Sequence, residues 1–362
     1  MRKSVWLVVL ALLSFPIALS AQTPTAPIPP TPPAQSAPAP KPAAAAPAWK
    51  ISGYVIGDYY YFASSHDAKF DSQNGFWLRR GYFTYDHTLG DGFSSRLRLE
   101  MNSTGDLTNA KLTPFVKDAY LKWTRGAHAV VMGMSATPTF EYIESFWGYR
   151  FIEKTPLDLQ RWDGSRDLGI AAQGTLDAAK TVNYHVMFAN GSDTGSEVNK
   201  NKTVRAALSV RAKSGFAVEG YADWQDQPVD ADRNTAQVFV GYRQASGRVG
   251  AQYSQQTRRS ASAGSTTVQL ASVFAVAKVN DKNFVLARFD RMFDPNPDGA
   301  KIPYLPFNTE AKSSLGIIGW DFLPNANVHI SPNVEFVKYG DVRGAKVGSD
   351  VVPRLTLYYV WQ

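Results

Sequence analysis

Residues 94–102 read SSRLRLEMN, and the alternation of Arg96, Arg98 and Glu100 with Leu97, Leu99 and Met101 decides the fold. Successive side chains of a β-strand point to opposite faces. The segment therefore has one charged face and one apolar face. Two environments accept that: a soluble sheet with one wet side, or a wall with lipid outside and water inside.

The same period recurs along the chain. In TVNYHVMFAN, Val182, Tyr184, Val186 and Phe188 oppose Asn183 and His185. In NTAQVFVGYRQ, Val238, Val240 and Tyr242 oppose Gln237 and Arg243, and in PRLTLYYVWQ, Leu355, Leu357, Tyr359 and Trp361 oppose Arg354, Thr356 and Tyr358. Sixteen such segments are expected, starting near residues 49, 75, 92, 113, 127, 166, 181, 202, 216, 233, 247, 266, 282, 311, 326 and 350. Each is about ten residues or more, the length of a tilted strand crossing a bilayer.

The connections separate the two environments. Short links with Gly, Asn, Asp or Pro turn chemistry fall at 90–91, 124–126, 178–180, 214–215, 246–247, 280–281 and 324–325. Longer links alternate with them at 63–74, 103–112, 137–165, 191–201, 226–232, 258–265, 292–310 and 339–349. Short turns at one end and long loops at the other are the layout of an outer-membrane barrel. The fold class expected is all-β: a transmembrane antiparallel β-barrel of 16 strands, with short periplasmic turns and long extracellular loops. Leu97, Leu99 and Met101 then face lipid, where a charge at mid-depth would cost ~2–4 kcal/mol, and the arginines face the lumen. A barrel of that size is wide enough for an aqueous channel. Two places resist this register. The segment AKSSLGIIGWDFL is apolar on both faces, and the adjacent pair Arg79–Arg80 would put one arginine near an interface or at the lumen mouth.

The opening MRKSVWLVVLALLSFPIALSA has a basic start, a short apolar run and small residues at Ala18 and Ser20, so residues 1–21 read as a secretory signal peptide. Residues 22–48 are almost all Pro, Ala, Thr, Gln and Ser, which reads as a disordered periplasmic linker with possible cell-wall contact. Residues 49–362 form the barrel. The chain has 38 basic and 31 acidic side chains, a net charge of +7. Removing Arg2 and Lys3 with the leader leaves a mildly basic chain, too weakly charged to point to nucleic acid. Cysteine is absent, which excludes thiol metal sites and disulfides.

The longest link, 137–165, mixes aromatics (Phe140, Tyr142, Phe146, Trp147, Tyr149, Phe151) with charges. A loop so long is uncommon unless functional or disordered, and its aromatics argue against disorder. With RRGYFTYDHTLGDGFSSRLRLEMN before it and RDLGIAAQG after it, the region resembles the phosphate-selective porin O and P family. The resemblance implies a 16-stranded barrel, usually a homotrimer in outer-membrane lipid, whose third loop folds inward and narrows the pore. It also implies passage of small inorganic anions, phosphate or polyphosphate among them, guided by basic side chains. By position Arg96 and Arg98 match wall basics, while Glu153–Lys154 and Arg166–Asp167 match the loop-end motif.

The lumen basics expected from register are Arg96, Arg98, Lys122, Arg205, Arg211, Arg243, Arg288 and Arg354. Those of the constriction loop are Arg150, Lys154, Arg161 and Arg166. Wall acids are also expected inside: Glu100, Asp118, Asp167, Glu219, Asp223, Asp290 and Glu335. If these cancel the arginines, the channel is a general diffusion pore. A self-plugged barrel that anchors the envelope is a third reading. An enzyme is disfavoured, because the five histidines (His66, His87, His128, His185, His329) show no paired metal spacing and no serine elbow. No cofactor or metal is expected.

Overall fold

The computed structural model describes residues 48–107, 111–260 and 264–362. The expected signal peptide and residues 22–47 of the expected linker lie outside the described residues. The first eight strands are β1 (Trp49–Tyr61), β2 (Asn74–Gly90), β3 (Phe93–Asn102), β4 (Thr113–Arg125), β5 (His128–Ala136), β6 (Arg166–Thr175), β7 (Val182–Ala189) and β8 (Thr203–Arg211). The others are β9 (Phe216–Gln225), β10 (Arg233–Gln244), β11 (Gly247–Ser260), β12 (Gly264–Asn280), β13 (Asn283–Met292), β14 (Ser313–Asn325), β15 (Val328–Tyr339) and β16 (Asp350–Trp361). Each strand starts within two residues of the position expected from periodicity. Neighbours in sequence pair antiparallel, and β1 pairs with β16 from Gly53↔Trp361 to Tyr60↔Arg354, so the sheet closes into a barrel. The link expected over 258–265 is shorter, because β11 runs to Ser260 and β12 begins at Gly264.

Alternation sorts the two faces. Leu97 is 46% exposed on the outside of β3, and Glu100, three residues on, is 1% exposed on the inside. Outward residues such as Val238, Val240, Leu355 and Leu357 form the same apolar outer surface.

Two β-bulges correct the strict period-two register. Between β1 and β2 the pairing steps from Ile56↔Arg80 to Gly57↔Leu78, which leaves Arg79 as an extra residue. Arg79 and Arg80 are both buried inside the barrel, so neither sits at an interface. Between β3 and β4 the pairing steps from Arg98↔Asp118 to Leu99↔Val116, and Lys117 is the extra residue. Each bulge re-aims a side chain and so adds one inward charge that alternation would not supply.

The register of β14 is also resolved. Ser313, Leu315, Ile317 and Asp321 are buried on the inner face, while Ile318, Trp320 and Phe322 are exposed outside. The inner face can be apolar because loops fold inward over it. Leu315 and Ile317 belong to one hydrophobic cluster with Phe146 and Ile152 of loop 137–165 and Ile302, Leu305 and Phe307 of loop 293–312.

Candidate functional site: the loop-lined lumen

Loop 137–165 carries two short helices, α1 (Phe140–Trp147) and α2 (Pro156–Leu159). Its apolar side chains are fully sequestered, with Trp147 1% and Trp162 0% exposed. Phe146 and Trp147 pack among Phe239, Phe274 and Val276, inward residues of β10 and β12. Phe140, Leu157 and Trp162 pack among Tyr221, Val268, Leu270 and Met292. Each large side chain buried this way contributes ~1.5–3 kcal/mol, enough collectively to hold a loop inside an aqueous lumen. Gly148 ends α1 in the left-handed conformation (φ 71°), and its N–H donates to the Glu144 carbonyl at 2.7 Å. A Cβ there would strike the Arg248 guanidinium.

Polar contacts pin the loop from the other side. The bulged Arg79 donates to the carbonyls of Ile152 (2.9 Å) and Phe151 (2.5 Å) while pairing with Asp58. Arg288 donates to the Lys154 carbonyl and pairs with Asp290 at 2.5 Å. Loop 293–312 also reaches in: the Tyr304 hydroxyl donates to the Arg79 carbonyl at 2.9 Å. The expectations from the sequence did not include this second inward loop.

The eight expected wall basics all face inward, but their surroundings divide them. Arg205 is held by Asp163 and Asp167, both at 2.7 Å, and Arg354 by Glu335 at 2.7 Å. With Arg288 these are buried and spent on carboxylates. Arg96 pairs with Asp86 at 2.7 Å, and Arg98 with Asp118 at 3.2 Å. Lys122 has no ion-pair partner among the described residues, and Arg211 is 4.0 Å from Glu219. Arg243 donates to the Ser145 carbonyl at 2.6 Å. Arg211, Arg243, Arg248 and Arg288 lie over the rings of Tyr142, Phe146, Tyr149 and Trp147 at 3.8, 4.4, 5.3 and 5.5 Å. Wall arginines thus stack on loop aromatics as cation–π pairs. The expected set omitted Arg80 and Arg248, which alternation places inward, and Arg79 and Lys117, which only the bulges turn inward.

Within the loop, Arg150 pairs with Glu144 (2.7 Å) and Asp158 (3.2 Å), and Lys154 pairs with Asp158 at 3.3 Å. Burial opposes ionisation of Asp158, but Lys154 and Arg150 outweigh it and hold the carboxyl below its usual range. Arg166 pairs with Asp118 and with Glu141 at 3.0 Å. Arg161 is exposed, in a left-handed conformation, and borders none of the cavities described below.

The loop leaves space along the wall from β15 and β16 through β1 to β9. One cavity of about 460 Å³ is bordered by Tyr82, Arg98, Lys117, Arg150 and Arg166. A second, of about 450 Å³ towards the short turns, is bordered by Lys122, Gln173, His185, Arg211 and Glu219. They share Glu141 and Ser145 of α1. Along both, six basic side chains (Arg98, Lys117, Lys122, Arg150, Arg166, Arg211) face three acidic ones (Glu141, Glu144, Glu219). A third space of only about 20 Å³ lies between Arg79, Arg80, Arg150 and Lys154. It holds about one water, so it is a seam and not a route.

The closed barrel of sixteen antiparallel strands is a fold shared with solved outer-membrane porins. Among solved structures, the anion-selective porin from Comamonas acidovorans superimposes with a TM-score of 0.65 at 14% identity, over 86% of this chain and 99% of that one. The outer-membrane channel DcaP of Acinetobacter baumannii gives 0.62 at 15% identity, over 86% and 97%. OmpF of Salmonella typhi gives 0.61 at 12%, over 86% and 97%. These likenesses establish a shared fold. No protein-family profile matches the chain, and no curated protein sequence does.

Proposed function

We propose that the chain is an outer-membrane diffusion pore for small anions, phosphate-sized ions among them, narrowed by loop 137–165. The observation that carries this reading is the six-to-three excess of basic over acidic side chains along the two adjoining cavities. In a confined passage with low-dielectric walls such an excess raises the local anion concentration. The solved anion-selective porin with the same fold supports the reading. The outer membrane is the corresponding location. A homotrimer is the assembly proposed, in line with the trimer form of the related-fold OmpT of Vibrio cholerae. Passive diffusion requires no catalytic group and no cofactor.

A second reading is a non-selective pore, and one observation favours it. Glu100, Asp118 and Asp158 stand directly behind the cavity basics and pair with Lys117, Arg98 and Arg150. Reversal potential across a planar bilayer under a salt gradient separates the two. Anion preference that falls in Arg98→Ala supports the first reading. No preference, or cation preference, supports the second.

A further inference from the structure

The outer surface of β13–β15 carries two cations at its long-loop end, directly above rows of apolar groups. Arg291, Ser314 and Lys338 stand side by side, because Arg291 pairs with Ser314 across β13–β14 and Ser314 with Lys338 across β14–β15. All three are outward: their strand neighbours Asp290, Met292, Ser313, Leu315, Val337 and Tyr339 are buried inside. The Arg291 guanidinium donates to the Ser314 hydroxyl at 2.7 Å, which holds it across the sheet. Exposed Lys312 lies just before the start of β14. Lys312 and Lys338 have no ion-pair partner among the described residues. Three nearby acids are engaged elsewhere: Asp294 accepts from the Gln269 backbone N–H, Glu310 pairs with Arg343 at 3.3 Å, and Asp350 points inward to His66 and Tyr339. Exposed Asp341, beside the Gly340 that donates to the Lys312 carbonyl, is the one acid near the lysines with no ion-pair partner among the described residues.

The row below this one is Phe289–Gly316–Phe336, and the next is Ala287–Ile318–Val334. The Phe336 ring fills the place a Cβ on Gly316 would take, so this row presents a flat apolar surface. From Ser314 down to Phe322 on β14 is eight residues, about 27 Å along the strand and about 20 Å once tilted, close to the apolar band of an outer-membrane barrel. Arg291 and Lys338 therefore sit where hydrocarbon gives way to headgroups, at the long-loop end. At that end Tyr61 in β1, Phe76 in β2, Phe188 in β7 and Trp224 in β9 are outward aromatics, and Gln255 and Gln269 on β11–β12 are outward and uncharged. Outward Arg259 of β11 differs in having a partner, Asp232 at 3.6 Å.

We propose that the outer face of β13–β15 is a binding site for the phosphate of an anionic lipid headgroup, clamped between Arg291 and Lys338 and capped by Lys312, with the acyl chains lying on Phe289 and Phe336. Charge complementarity selects this occupant: a cation–hydroxyl–cation row directly above an apolar row matches a phosphate on two hydrocarbon chains. A second copy of the same chain would have to supply acids to two cations buried at the membrane boundary. The inference rests on the barrel lying in a membrane and is independent of what passes through it.

The test is native mass spectrometry of the purified full-length protein after incubation with dioleoyl phosphatidylglycerol or dioleoyl phosphatidylcholine. The wild type is expected to retain the phosphatidylglycerol, and Arg291→Gln/Lys338→Gln to lose it by about thirty-fold. Lys213→Gln, at a short turn, should retain it. Arg291→Lys/Lys338→Arg, which keeps both charges, should also retain it and so controls for folding. Equal retention of both lipids, retention unchanged in the Gln double variant, or displacement by millimolar inorganic phosphate would each overturn the proposal. So would conversion of an oligomer to monomers by Lys338→Gln, which would make this face a protomer interface.

Discussion

Arg166 and Glu141 meet at 3.0 Å across the junction of the two lumen cavities. Arg166 comes from the buried start of β6, and Glu141 from the first turn of α1 with its side chain 58% exposed. Arg166 keeps Asp118 as a second partner. Glu141 is thus the acid at the point the two cavities share, where an ion would meet it on the proposed pore reading.

Glu141→Gln should shift the reversal potential towards anions. Removing a unit charge about 4 Å from the path in a water-like medium is worth ~1 kcal/mol, or roughly five-fold in the anion-to-cation permeability ratio. An unchanged ratio would mean that ions do not pass the Glu141–Ser145 edge of α1.

Arg98 and Arg205 are both inward arginines, yet their substitutions should separate. Arg98→Ala removes a charge from the cavity wall and should lower anion preference with little loss of stability. Arg205→Ala leaves Asp163 and Asp167 buried without their counter-ion, a loss of about 3–5 kcal/mol. Its effect should appear in the thermal unfolding of the barrel and not in selectivity. The two measurements together test whether buried and cavity-lining arginines do different work.

Trp147→Ala should loosen the loop. The indole is 1% exposed, packs against Phe274 with ring centres 5.1 Å apart, and donates to the Glu153 carbonyl at 2.9 Å. Truncation removes about 3–5 kcal/mol of packing. Single-channel conductance should rise and become noisier. Conductance equal to that of the wild type would place the rate-limiting narrowing elsewhere.

Asp193, in the link between β7 and β8, supplies a pH dependence. Asp193 is exposed at its edge, yet partial desolvation by the surrounding protein, with the like charge of Asp163 beside it, pushes its carboxyl up to about 6 from the ordinary 3.8. The folded protein therefore holds this proton more tightly than the unfolded chain does. Its contribution is fully present below the unfolded value and is lost as pH rises through about 6. Amide exchange in residues 190–202 should be slower at pH 5 than at pH 7, beyond the intrinsic rate change. Asp193→Asn should abolish the difference, and a difference that survives it would assign the effect to another group.

What the sequence disclosed, and what it withheld, follows from the range of the interactions concerned. Strand positions and the facing of Arg96, Leu97 and Arg98 depend on a period of two and are legible locally. The inward aim of both Arg79 and Arg80 depends on a two-against-one pairing with β1, which no single segment displays. The doubly apolar β14 looked anomalous because its inner cover, Phe307 and Ile152, lies in other loops. A signal was available: Phe239, Val268, Leu270, Phe274 and Ile317 all fall at inward positions, and an apolar inner wall in a water-filled barrel implies something folded against it. The division of arginines into paired and available was out of reach, since Arg205 finds Asp163 some forty residues away through the closed shape of the barrel.

The seam between β1 and β16 has a consequence for how the molecule is made. Position 53 finds its partner at position 361, and a Cβ on Gly53 would collide with the Trp361 ring and the Tyr82 carbonyl. Until the final strand has emerged, both rims of the growing sheet remain unpaired, and pairings this remote in sequence are slow to form. The exposed rims are therefore a liability for pairing with other chains until the ring closes. A bulkier residue at Gly53 would register as a failure of biogenesis, with the mature pore's transport properties never coming into play.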